Sequence, residues 1–184
     1  MAKANASDAI AINRAPVLTL WAAVVAERLG YDREEALTLG RAMAGLNAQS
    51  KGRALGVFAP TGAADRGRKR REEKTGDALR VELLQRAIRA VRTRDGLRAL
   101  DGHGSPTDPT SVERYLKGKF GERLDAARAA MEDLAAAYAP DTLAQAAFGL
   151  YEQFRPSIPR GQAGWGAKGA LDLARIRALA RRKP

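Results

Sequence analysis

Three observations predict a mainly α, compact protein of about five or six helices. Apolar residues make up 45% of the 184 while aromatic residues make up only 5%, so much of the apolar content is alanine, the strongest helix former. Apolar positions recur at three- and four-residue spacing through most of the long segments. Proline, glycine and aspartate stand where helices would begin and end.

Residues 1–13 are small or polar and are expected to fray. Asn13-Arg-Ala-Pro16 then opens a helix, with Val17, Leu20, Trp21, Val24, Val25 and Arg28 at helical period and Gly30 as its C-terminal stop. Asp32, with Glu35 three residues on, has the spacing of a capping box and starts a second helix. Its Leu37, Gly40, Met43 and Ala44 make one face small and apolar, and Gly40 with Ala44 would let a neighbour approach closely. The two form an N-terminal αα-hairpin. Its connection has the length of a DNA-reading helix-turn-helix, but both helices are longer than that motif needs and the second offers few reading side chains beyond Arg33 and Arg41, so packing is the better reading.

Asn47–Gly52 reads as a polar turn, Arg53–Phe58 as a short strand candidate, and residues 60–77 as a basic flexible loop. From Ala78, the residues Val81, Leu84, Ala87, Ile88 and Val91 satisfy a helical period, with Arg86 and Arg89 on the opposite face and Glu82 placed to pair with Arg86. Their β-branched content leaves room for one small β-hairpin within residues 53–93, but helix is the preferred reading. The stretch Asp101–Pro109 is the clearest punctuation and divides the chain into an N-terminal part, 1–100, and a C-terminal helical part, 107–184, that can also pack as one unit. Asp108-Pro109 opens a helix whose apolar positions run from Val112 to Tyr138, with breaks expected at Gly118 or Gly121. Helices over Asp141–Phe154 and Ala170–Arg182 complete the set.

Charge carries the functional reading. Of the 32 Lys and Arg residues, 24 are Arg, and the formal net charge is +11. Residues 1–50 are neutral overall, residues 51–100 hold fourteen cations against six carboxylates, and residues 101–184 hold thirteen against ten. Arg66–Lys74 alone contributes six cations and two glutamates. A central field of this kind suits a polyanion, and phosphate contacts of this type give affinity without sequence information. The arginine excess, which favours DNA over RNA through bidentate phosphate contacts and minor-groove insertion, is also what codon bias in a GC-rich bacterial genome produces.

The expected nucleic-acid-binding residues are Lys51, Arg53, Arg66, Arg68, Lys69, Arg70, Arg71, Lys74, Arg86 and Arg89, joined by Arg160 and Lys168. The last two flank Gly161–Gly169, where glycine N–H groups at a helix start would form an anion site with Trp165 beside it for stacking. That stretch matches the dinucleotide fingerprint at Gly164, Gly166 and Gly169, but Pro156 and Pro159 stand where a strand should precede it, and too few residues follow for the second strand.

Other chemistries lack their residues. With no cysteine there is no disulfide, zinc ribbon or thiol nucleophile, and the one histidine, His103, sits between glycines. Adjacent carboxylates such as Glu34/Glu35, Glu72/Glu73 and Glu132/Asp133 diverge on a helix and are poorly placed to share a metal. No cofactor or metal is expected. The longest apolar-rich stretch, Ala15–Ala26, contains Pro16 and Thr19 and is too short to span a bilayer, which points to the cytoplasm. The sequence therefore reads as a non-enzymatic binder of nucleic acid, with room for a protein partner or a homodimer. Behind it stand a protein–protein adaptor with a solvated basic loop and an enzyme acting on an anionic or nucleic-acid substrate.

Overall fold

The structure, a computed structural model, describes residues 8–54, 78–162 and 166–182. Its centre is helix α1, Arg14–Arg28, in which every residue from Pro16 to Ala26 is buried. A helix apolar on all sides has to be wrapped by others. Helices α2 (Arg33–Ala54), α3 (Pro109–Phe120), α4 (Leu124–Ala136) and α5 (Pro140–Phe154) all pack against it. Trp21 is fully buried, meets Phe154 edge-on at a centroid distance of 5.3 Å, and donates from Nε1 to the Ala147 carbonyl at 2.8 Å. That bond lets a large ring with a polar N–H sit in the core without a desolvation penalty.

The mainly α class holds, with six α-helices among the described residues and two small antiparallel sheets. Gly30, at φ +108°, ends the α1 run. The Asp32–Glu35 capping box is present: Asp32 Oδ1 accepts from the Glu35 amide at 2.9 Å, and Glu35 Oε2 accepts from the Asp32 amide at 3.2 Å. Gly40 is where α1 and α2 touch. A Cβ there would lie 2.4 Å from the Thr19 carbonyl oxygen and 3.0 Å from the Ala23 nitrogen, so only hydrogen fits.

Four sequence expectations are corrected. Helix α2 does not stop at Asn47–Gly52 but continues through Ala54, with Gln49 and Ser50 exposed on it rather than turning the chain. The supposedly frayed segment contains strand β1, Ala9–Ile12, which pairs antiparallel with β5, Gly169–Asp172, and buries Ile10 and Ile12. Strand β5 also takes the first turn of the expected last helix, so α6 spans Leu173–Arg181.

The largest correction concerns residues 79–99, which form a three-stranded sheet instead of a helix: β2 (Leu79–Leu83), β3 (Arg86–Thr93) and β4 (Gly96–Ala99). Val81 and Leu83 of β2, and Ile88 and Ala90 of β3, face the core at a spacing of two. The turn between them is Leu84-Gln85, with φ of +48° and +61°, two left-handed residues and no glycine. Each costs about 1 kcal/mol in backbone strain. The cost is offset where Leu84 is buried in the core and Gln85 Nε2 donates to the Gln145 carbonyl on α5 at 3.1 Å.

Side chains of α2 hold the β4 edge. Glu35 Oε1 accepts from the Leu97 amide at 2.9 Å, and Thr38 Oγ1 accepts from the Ala99 amide at 3.0 Å. Arg98, only 5% exposed, pairs with Glu34. The Glu35 carboxylate thus caps a helix and terminates a sheet at once. Gly96, at φ +108°, leaves it room, since a Cβ there would come within 2.9 Å of Oε1.

The helix break falls at Gly121, φ +57°, followed by a single 3₁₀ turn through Arg123. One hydrophobic cluster draws on residues from both sides of Asp101–Pro109. Among the described residues, no helix is long and apolar enough to cross a membrane.

Candidate functional site

Strands β2 and β3 carry four arginines, with Arg94 just beyond β3, and their register decides which share a face. Arg80 lies directly opposite Arg89, while Arg86 lies opposite Leu83 and Arg92 opposite Leu97. Side chains alternate along a strand, so Arg80 and Arg89 share the outer face, and Arg86 and Arg92 belong to the other. The single cationic face expected for Arg86 and Arg89 on a helix is therefore split. The Glu82–Arg86 pair does not form either, since Glu82 lies opposite Ala87.

Arg80, Arg86, Arg92 and Arg94 make no ion pair among the described residues, although Glu82 and Asp95 lie in the same ribbon. Among the described residues outside it, four arginines are ion-paired, while others such as Arg41, Arg114 and Arg123 are not. Arg33 reaches Glu113, Arg98 reaches Glu34, Arg128 reaches Glu27 and Glu132, and Arg177 reaches Asp8.

Beside the ribbon runs an open groove of about 1320 Å³, larger than the enclosed pockets of about 300–1,000 Å³ that hold small ligands. The second half of α2 forms one wall with Ala42, Gly45, Leu46, Ala48 and Gln49. Ala87, Ile88 and Arg89 of β3 form another, and the loop through His103 with Ser111 and Tyr115 of α3 closes the far side. Alanine and glycine keep the α2 wall shallow. The Arg41 guanidinium carbon lies 4.4 Å from the Tyr115 ring centroid, and Lys119 Nζ lies 5.9 Å from it. An exposed arginine held over an aromatic ring by its quadrupole is a planar, pre-ordered cation.

The groove's carboxylates and Ser111 already have structural duties. Asp101 Oδ1 accepts from the amides of His103 at 2.8 Å and Ser105 at 2.9 Å. Asp108 Oδ1 caps α3 through the Thr110 amide at 3.1 Å, and Ser111 Oγ donates to the Asp108 carbonyl at 2.7 Å. Those bonds shape the loop, while Arg41 and Tyr115 line the groove with Lys119 near the ring. No group of three metal-ligating side chains occurs among the described residues.

The other sequence-identified residues are spread out. Lys51 and Arg53 belong to the last turn of α2. Arg66, Arg68, Lys69, Arg70, Arg71 and Lys74 lie outside the described residues, as do Trp165 and most of the Arg53–Phe58 strand candidate. Arg160 and Lys168 are both exposed in the connection between α5 and β5. The glycines there do not open a helix, because β5 intervenes. The α6 N-terminus is occupied by its own cap: Asp172 Oδ1 accepts from Ala174 at 2.9 Å and Arg175 at 3.3 Å, leaving those amides no room for a phosphate.

Sequence reasoning missed Arg41 with Tyr115, which are 74 positions apart and meet only through the packing of α2 on α3. Comparisons with protein-family models, curated proteins and solved structures found no match for this chain.

Proposed function

We propose that this protein binds nucleic acid, DNA in preference to RNA, by gripping the phosphate backbone through its central segment without catalysing a reaction. One observation carries the reading. Arg80, Arg86, Arg92 and Arg94 crowd a short ribbon and have no carboxylate partner among the described residues. Surplus guanidinium on a rigid sheet is pre-ordered for phosphate and needs no rearrangement to release counterions. The commitment of Asp101, Asp108 and Ser111 to backbone hydrogen bonds favours binding over chemistry. The adaptor reading finds less support, since Leu79 is the one large apolar residue strongly exposed among those described, and it lies on a strand.

Fluorescence anisotropy with a labelled 20-nucleotide DNA at rising salt is the test. Affinity is expected to fall linearly on log–log axes, with a slope of about −0.7 to −0.9 per phosphate contacted. Binding indifferent to salt, or no binding at low salt, refutes the proposal.

A further inference from the structure

We infer that the groove between α2, β3 and α3 takes a single-stranded segment of DNA, with Arg41 on Tyr115 as the platform on which one base stacks. This rests on the reading of the protein as a nucleic-acid binder and adds which form of the polymer it selects. The Arg41 guanidinium carbon lies 4.4 Å from the Tyr115 ring centroid, so the cation and the ring together offer a compact surface on which a base can stack. Guanidinium planes and aromatic rings both stack with unpaired bases, and neither can reach a base face inside a duplex. The small residues Ala42, Gly45 and Ala48 leave width along α2 for the neighbouring sugars, and Lys119, its Nζ 5.9 Å from the Tyr115 ring centroid, stands by the platform to meet a phosphate. The groove's size argues the same way, being too open to enclose a mononucleotide and of the right kind for a passing chain.

The experiment measures, by anisotropy at fixed moderate salt, a mixed-sequence 20-nucleotide single strand and the duplex of the same sequence. It uses the full chain as wild type, Arg41→Lys, Tyr115→Leu and Tyr115→Phe. The wild type is expected to bind the single strand at least about 10-fold more tightly than the duplex. Arg41→Lys keeps the charge but loses the plane, and it is exposed, so folding is not at issue. It and Tyr115→Leu are expected to weaken single-strand binding by about 5- to 150-fold, the range for losing one stacked base, with duplex binding within about twofold. Tyr115→Phe retains the ring and should bind as the wild type does. Equal affinity for the two forms, or Arg41→Lys binding single strands like the wild type, overturns the groove inference and leaves the backbone reading standing. Failure of the wild type to bind either form overturns both.

Discussion

The α1–α2–α4 frame and the β2–β3 ribbon use the same residue type in opposite ways. In the frame, Arg128 is mostly buried, its Nη2 lies 2.5 and 2.6 Å from the two Glu27 carboxylate oxygens, and its Nε lies 2.8 Å from Glu132. Burial on its own would lower its pKa, but the two glutamates outweigh it and the net shift is upward. In the ribbon, Arg80, Arg86, Arg92 and Arg94 sit on exposed or half-exposed positions without such partners among the described residues. An arginine with its carboxylates in place is part of the fold, and one left without them is a resource for something outside it. Net charge alone does not separate the two. Pairing does.

The comparison can be broken at several points. The largest effect is expected at Gly40→Ala, which drives a methyl into the Thr19 carbonyl across the α1–α2 contact. Overpacking against backbone should cost about 3 kcal/mol, read as a lower urea midpoint at unchanged slope.

Next is Arg128→Met, which leaves Glu27 without its cation. The cost should be about 2 kcal/mol, below the value of roughly 3–5 for a fully buried pair because Glu27 keeps some hydration. DNA affinity should not change, and a drop in affinity at unaltered stability would put Arg128 in the ribbon's class.

Tyr151 adds a frame effect confined to high pH. Burial in the core pushes its pKa up to about 12 from 10.0. A raised pKa means the native state holds the proton more tightly than the unfolded chain. The stabilisation is therefore complete below the unfolded value near 10 and is lost as pH rises toward 12. Denaturation between pH 9 and 12 should show this loss in the wild type and a shallower one in Tyr151→Phe; parallel curves would reject it.

Smallest in stability is the ribbon variant with Arg80, Arg86, Arg92 and Arg94 all changed to Gln, expected within about 0.5 kcal/mol of the wild type because no fold contact is lost. Its binding should nevertheless shallow by about three in salt slope. A large stability loss would show that these arginines belong to the frame after all.

Local signals account for what was legible in the sequence. Gly30, the Asp32–Glu35 box, Asp108-Pro109 and Gly121 mark helix ends within a few residues of themselves, and each stands where the chain demanded it. The ribbon was misread because Val81, Leu84, Ile88 and Val91 fit a helical period as well as a strand fits its own. Its turn uses Leu84-Gln85, without the glycine or asparagine that usually announces left-handed backbone. What stabilises that turn, Gln145 on α5, is 60 residues away. The same distance problem hid the groove. Arg41 read as one of the few reading side chains of the second helix and Tyr115 as a core position, and only the packing of α2 on α3 makes them one object. β1 and β5 were illegible for a further reason: four residues each are too few to show a period.

That last pairing has a consequence for how the molecule is made. Ile10 and Leu171 are register partners, so a ribosome must deliver nearly the whole described chain before β1 has anything to pair with. Helices with local contacts can assemble first. The two-stranded ribbon is the seam that closes last, and a chain halted before residue 169 would leave Ile10 and Ile12 without the strand they pair with.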